Sequence, residues 1–275
     1  MLKKSELVNL LVEFNISPSK ALGQNFMVDQ NCVRKIVNLA QIKEGDNVIE
    51  IGGGAGVLTE GLLETKAQVS VLEFDRKLVE LLKSRSELSD ATIVHGDAMT
   101  FNFDLLKKGN SGTKVVSNLP YNIASPLIIR ILEDFKFISP IVVLVQKEIG
   151  RRMVAKVGEN DYGLLSTKIA CLGTSKILSL FSPEIFYPRP KVESALIEIV
   201  RSKSEEIDLD EEYWGVKTLI NTAYSSKRKM LKSTLGKQFG EEVFISSNVD
   251  WQKRPEELTV NDFVAILRAV RKYNR

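Results

Sequence analysis

Apolar positions along the chain switch repeatedly between a helical period and short unbroken runs. Residues 31–40 carry apolar side chains at helical spacing, and Asn47–Ile51 is a short strand. Gly56–Glu64 reads as a helix, Val69–Leu72 as a strand, Lys77–Lys83 as a helix and Thr92–His95 as a strand. Val115–Ser117 is a further strand. In Ala124–Phe135, Ser125 is placed as an N-cap with Pro126 at the first helical position, and apolar residues recur at 127, 128, 131, 132 and 135. Ile141–Val145 is continuously apolar, as a strand buried on both faces requires. Ala195–Val200 is the last strand. Such alternation predicts an α/β fold with a mostly parallel sheet.

The two ends differ from this core. Residues 1–30 read as a short helix, a break at Pro18 and a polar loop, Ala21–Asp29, and form an N-terminal arm. Beyond Val200 the charged stretch Arg201–Glu212 reads as a linker. Helices are then predicted over about 212–223 and 226–238, with a last one opened by Thr259-x-x-Asp262, which resembles a capping box. Residues 1–201 are therefore expected to form one domain and 202–275 a small helical one.

Composition narrows the chemistry. Of 275 residues, 44% are hydrophobic and 27% charged, which suits a soluble domain with a sizeable core. A net charge of +3 permits a nucleic-acid partner without requiring one, so the distribution of charge matters more than its sum. The single histidine, His95, and two cysteines, Cys32 and Cys171, stand at no metal-ligand spacing, so no metal is expected. They also argue against a Ser-His or Cys-His nucleophile. The thiols suit a reducing compartment. Lacking a signal-peptide pattern or an apolar run of bilayer length, the chain is expected in the cytoplasm.

Ligands of open parallel sheets sit at the carboxyl ends of the strands. After the first strand comes Gly52-Gly-Gly-Ala-Gly56, preceded by Glu50. The second ends in Glu73, a carboxylate able to take both hydroxyls of a ribose. The third runs into Gly96-Asp97-Ala98, and the fourth into Asn118-Leu119-Pro120-Tyr121. A glycine loop followed by an acid about twenty residues later also occurs in dinucleotide sites, so a nicotinamide dehydrogenase is an alternative. Here, however, Val57 stands where the third glycine of that fingerprint would be. Adenosylmethionine carries no phosphate and needs no open helix N-terminus, and Asp97 suits an adenine amino group.

Asn118–Tyr121 adds acceptors for an amine. The Asn118 side-chain oxygen and the Leu119 carbonyl can accept both N–H bonds of an exocyclic amine, the fixed φ of Pro120 holds that backbone pre-set, and Tyr121 offers a stacking face. These are the parts needed to methylate a base turned out of its strand.

At these residues the sequence resembles the ribosomal RNA adenine N6,N6-dimethyltransferase family, and most closely its KsgA-type branch. The matching segments are Leu22–Asp29, Glu50–Thr59, Gly96–Met99, Asn118–Pro126, Phe186–Ser194 and Ala223–Leu231. The resemblance implies a Rossmann-like class I methyltransferase domain with a mostly parallel seven-stranded sheet, and a C-terminal helical domain that helps dock on the ribosome. It implies S-adenosylmethionine as cofactor, held by Asn25, the backbone of Met27, Gly52, Gly54, Glu73, Asp97 and Asn118. Asn118, Leu119, Pro120 and Tyr121 would form the catalytic loop, with Tyr121 and Phe186 stacking on the flipped adenine. The implied substrate is 16S rRNA of the small ribosomal subunit, modified by a monomer at two adjacent adenosines of the 3′-terminal hairpin loop during subunit biogenesis.

Two departures are small. Gly53 stands where the family usually has proline, which points to a looser turn, and Met27 where leucine is common. Leu119 and Pro126 favour the small-subunit branch over its antibiotic-resistance relatives, which act on 23S rRNA. A catalytically silent ribosome assembly factor on the same fold is a further alternative.

Charge distribution supplies candidate RNA contacts. Lys227, Arg228, Lys229, Lys232 and Lys237 form a basic run without an intervening acid. Lys147, Arg151, Arg152 and Lys156 form a weaker one. A charge run is more often a solvated face, but its concentration in the small domain, next to an active site expected to accept RNA, favours phosphate contacts.

Overall fold

The computed structural model describes residues 2–19, 22–109, 112–201, 212–226 and 229–273. Nine strands occur among them: β1 (Phe26–Met27), β2 (Asn47–Ile51), β3 (Gln68–Glu73), β4 (Thr92–His95), β5 (Thr113–Asn118), β6 (Ile138–Gln146), β7 (Gly173–Phe181), β8 (Phe186–Tyr187) and β9 (Ser194–Arg201). Seven form one sheet in the order β4-β3-β2-β5-β6-β9-β7. The pairs from β4 across to β6 are parallel, and β9 runs antiparallel to β6. The family fold expected from the sequence is the fold observed. β1 and β8 form a separate two-stranded ribbon, with Met27 opposite Phe186.

Helices α1 (Lys4–Glu13), α2 (Gln30–Leu39), α3 (Val57–Leu63), α4 (Arg76–Ser84) and α5 (Ala124–Asp134) surround this sheet, followed by α6 (Lys147–Val154). β2 and β6 are buried along their apolar runs because both faces are covered. Val33, Ile36, Val37, Leu58 and Leu62 of α2 and α3 join Val48, Val69 and Val71 of the sheet in one core. A second cluster sets Leu7 and Leu11 of α1 against Leu78 and Leu81 of α4, which docks the N-terminal arm. Each such fully buried leucine contributes about 1.5–3 kcal/mol.

The remaining helices are α7 (Leu164–Leu172), α8 (Tyr213–Ala223), α9 (Leu235–Phe239), α10 (Glu241–Ser247) and α11 (Val260–Tyr273). The chain divides into two compact units, Met1–Gly150 with Lys176–Val200, and Arg151–Ser175 with Arg201–Arg275. The expected division had placed everything up to 201 in one domain. The structure groups Arg151–Ser175 with the C-terminal helices because α7 packs on α8 and α11. Thr167 also hydrogen-bonds the Tyr224 hydroxyl (3.0 Å), and Tyr162 donates to the Leu258 carbonyl (3.2 Å). Within that unit Arg268 forks onto Glu212 through two bonds of 2.9 Å.

Several local expectations change. The seventh strand of the sheet, β7, escaped the hydrophobic pattern because it ends the sheet and most of its residues are partly or fully exposed. α5 begins at Ala124 with Ile123 as cap, so Ser125 is not the cap and Pro126 lies within the first turn, where an N–H is not needed. The continuous helix expected over 226–238 is instead a 3₁₀ turn at Leu231–Ser233 followed by α9, while 227 and 228 lie outside the described residues. The capping box at Thr259 is present: Thr259 N–H donates to Asp262 (2.7 Å) and Asp262 N–H to Thr259 Oγ1 (3.2 Å).

Gly61 lets α3 approach α2, since a Cβ there would stand 2.4 Å from Val33 Cγ1. Gly61→Ala gains about 1 kcal/mol of helix propensity but costs about 1–3 kcal/mol by overpacking. A lower urea midpoint is therefore expected, and adding Val33→Ala, which removes the obstructing methyl groups, should relieve the clash in a double-mutant cycle.

Candidate active site

The strand order turns back at β2: β3 and β4 lie on one side of it, β5 and β6 on the other. At such a point the loops leaving adjacent strands diverge and open a crevice. A cavity of about 270 Å³ occupies that place, lined by residues that follow β2, β3, β4 and β5 and by Leu22–Met27 of the arm. Gly52, Gly54, Glu73, Asp97, Asn118 and Pro120 all border it.

The glycine loop is built by steric exclusion. Gly52 and Gly54 have φ of 78° and 55°, a region that disfavours side chains. A Cβ on Gly54 would lie 3.0 Å from the Phe26 ring, so the arm closes tightly on the loop. At Gly53, where the resemblance pointed to a looser turn, a Cβ would meet Val71 Cγ1 at 2.4 Å. Packing against β3 requires glycine there, and the turn is tight.

Glu73 is held from the main chain. Gly54 N–H donates to Oε2 (3.0 Å), and Phe74 and Asp75 N–H donate to Oε1 (2.8 and 2.9 Å). Burial raises its pKa above the ordinary value, against the lowering effect of these three bonds. Three of a carboxylate's roughly four acceptor positions are thus taken. Asp97 is exposed, and its Oδ1 accepts the Met99 N–H at 2.8 Å.

Asn118 ends β5, and its Nδ2 donates to the Asn25 carbonyl at 2.9 Å. That bond fixes the amide and turns its oxygen away from Asn25. Leu119 is buried and its N–H is used by the Leu144 carbonyl (3.2 Å), so its expected role rests on its own carbonyl alone. Tyr121 does not border the cavity. Its hydroxyl is 3.0 Å from Ser194 Oγ, a fully buried group at the start of β9. Phe186 is 2% exposed and belongs to the same core as Met27 and Val71, and it too lies off the cavity wall. The structure therefore joins Asn25, Met27, Gly52, Gly54, Glu73, Asp97 and Asn118 around one cavity and leaves Tyr121 and Phe186 off its wall.

Sequence reasoning passed over two groups. Gln24 accepts the Ser19 N–H (2.8 Å) and donates to Asp75 (3.3 Å), tying the arm to the loop after β3. Ser194 lies in a recognised segment, yet its bond to Tyr121 spans too many residues for any local pattern to reveal. His95 bonds the Phe74 carbonyl (3.0 Å) and is structural. Lys229 and Lys232 are exposed, while Lys227 and Arg228 lie outside the described residues. Among the described residues no cluster of His, Cys, Asp or Glu could hold a metal ion, and no helix is long and apolar enough to cross a membrane.

Comparison with known proteins places these observations. The chain matches a family model described as ribosomal RNA adenine dimethylase over residues 16–272. It is 33% identical over 280 residues to a protein of Mycolicibacterium vanbaalenii named ribosomal RNA small subunit methyltransferase A, covering 98% of this chain and 89% of that one. Its fold is similar to that of a dimethyladenosine transferase from Plasmodium falciparum, with a TM-score of 0.73 at 24% identity, covering 90% and 98% of the two chains. It is also similar in fold to the 23S rRNA methyltransferase ErmE, with a TM-score of 0.65 at 18% identity over 90% and 100%.

Glu50 lies fully buried below the glycine loop, accepting a 2.5 Å bond from Thr59 Oγ1. Burial pushes its pKa up from 4.5 to about 8, the Thr59 bond opposing the shift and the nearby Glu73 charge adding to it. A carboxyl whose folded pKa is raised contributes stability below its unfolded pKa and loses it as pH rises through the folded one. The stability difference between Glu50→Gln and the unaltered chain should therefore shift in favour of the variant between pH 4.5 and about 8. Urea midpoints of both proteins across that range measure it.

Proposed function

Because the chain belongs to the ribosomal RNA adenine dimethylase family, we propose that it transfers methyl groups from S-adenosylmethionine to N6 of two adjacent adenosines in the 3′-terminal hairpin loop of 16S rRNA. The observation that carries this reading is the Asn118–Asn25 bond, which leaves an amide oxygen as an oriented acceptor at the end of β5. The protein acts in the cytoplasm, on the assembling small subunit.

The residues around the cavity fit the cofactor by their chemistry. Glu73, immobilised by three N–H donors, keeps acceptor capacity for a ribose hydroxyl. Asp97 Oδ2 takes an amino hydrogen of the cofactor's adenine while Oδ1 is anchored to Met99. Gly52 and Gly54 allow the main chain to approach closely. When bound, the cofactor supplies a methyl group on a sulfonium that is already electrophilic.

The chain's part is orientation. The target amine is a poor nucleophile because its lone pair is shared with the purine ring. Asn118 Oδ1 and the Leu119 carbonyl accept its two N–H bonds, which draws that pair out of conjugation and directs it. Pro120 keeps the two acceptors in register. Tyr121, its hydroxyl tied to Ser194, presents a ring for the base to stack on. Phe186 supports the arm through its pairing with Met27. The exposed Lys229 and Lys232, with Lys227 and Arg228, meet phosphates of the ribosomal RNA.

A 23S rRNA substrate is the competing reading. It rests on likeness of fold to ErmE, whereas the curated relative that matches nearly the whole chain is named for the small subunit.

Labelled methyl transfer to isolated small subunits, large subunits and free ribosomal RNA tests the proposal. Dimethyladenosine is expected in small subunits, with a loss of about 10²-fold or more for Asn118→Ala. Label in large subunits would favour the competing substrate, and cofactor binding without transfer would favour an assembly factor. Lys229→Glu with Lys232→Glu should weaken subunit binding and reduce its salt slope by about 2.

A further inference from the structure

Asp97 borders the cavity and is exposed, yet its carboxylate has a definite orientation. The cause lies on α5. Arg130 Nη1 donates to the Ala98 carbonyl and Nη2 to the Phe101 carbonyl, each at 2.9 Å. The Ala98 carbonyl shares its peptide plane with the Met99 N–H, the group that donates to Asp97 Oδ1 at 2.8 Å. Fixing the oxygen of that plane fixes its hydrogen, and hence the carboxylate. The Phe101 N–H closes a second link, to the main-chain oxygen of Asp97 at 2.8 Å.

The guanidinium is itself well held. It lies over the rings of Phe103 and Phe135, at 5.9 and 5.1 Å from their centroids, and those rings meet edge to face. Asp134, one turn further along α5, lies 3.7 Å from Nε. A planar fork satisfies two carbonyls at once from one direction, which a lysine ammonium on a flexible stem does not. Charge-assisted donors also polarise the peptide they bind, strengthening the next bond in the chain.

We infer that Arg130 is a positioning residue for adenine recognition: through the Ala98–Met99 peptide it holds Asp97 Oδ2 where an exocyclic amino group must present its hydrogen. The inference rests on the cofactor reading above and adds to it a residue that touches neither cofactor nor substrate. It also makes selectivity for adenine over hypoxanthine a property of α5, since a 6-oxo group turns the partner of a fixed carboxylate from donor to acceptor.

Calorimetric binding of S-adenosylhomocysteine and S-inosylhomocysteine to the full chain separates the possibilities. The unaltered protein should prefer the adenosyl compound. In Arg130→Met the adenosyl compound should weaken about tenfold, as expected for loosening one bond to a charged acceptor. The inosyl compound should change less than about twofold, because it never gained from that bond. Arg130→Lys, which keeps the charge and the helix, should fall between. Asp97→Ala should abolish the preference, and Arg130→Met should add nothing to it in the double variant. An undiminished preference in both Arg130 variants, or equal weakening of the two compounds, overturns the inference and leaves Arg130 a structural residue. An unaltered chain that binds neither compound overturns the cofactor reading itself.

Discussion

A parallel sheet sends every strand out at the same edge, and where the strand order turns back the departing loops separate. That single topological constraint organises the first unit. It brings the ends of β2, β3, β4 and β5 to one cavity, so residues far apart in the chain need no long side chains to meet. The arm completes the enclosure, hydrogen-bonded to the end of β5 through Asn25 and to the loop after β3 through Gln24. Without the Asn25 bond the Asn118 amide would be free to turn.

Polar groups near the cavity are held chiefly by main-chain partners. Glu73 is fixed by three N–H groups, Asn118 by a carbonyl, and Asp97 by an N–H whose peptide is anchored from behind. Such partners belong to the scaffold and lose little entropy when a ligand arrives. Burial raises the pKa of both Glu50 and Glu73, and the three main-chain donors oppose that shift at Glu73.

Much of this was legible in the sequence, for physical reasons. Buried parallel strands such as Ile141–Val145 must be continuously apolar, and α5 carries an apolar face at helical spacing. The strand ends could be read because topology fixes which residues converge there. The failures have equally definite causes. β7, at the end of the sheet, lacks a hydrophobic signature. Residues 229–239 are basic and helix-compatible, but the chain there forms a 3₁₀ turn and a short helix, in which Leu231 and Leu235 are buried. Phe186, expected to stack on a base, is held in the core by the β1–β8 ribbon, a pairing across about 160 residues that no local pattern shows. Ser194, Gln24 and Arg130 act through long-range hydrogen bonds, which no local period encodes.

The chain leaves the first unit at Gly150, contributes Arg151–Ser175 to the second, and returns at Lys176 before leaving again after Val200. Because synthesis is vectorial, this excursion sets an order of assembly. The apolar side of α7, with Ile169, Cys171 and Leu172, emerges long before α8 and α11 exist to cover it. Some ninety further residues are made before α11 is reached, roughly five to twenty seconds of elongation. In that interval the nascent chain presents a hydrophobic helix that a chaperone can hold.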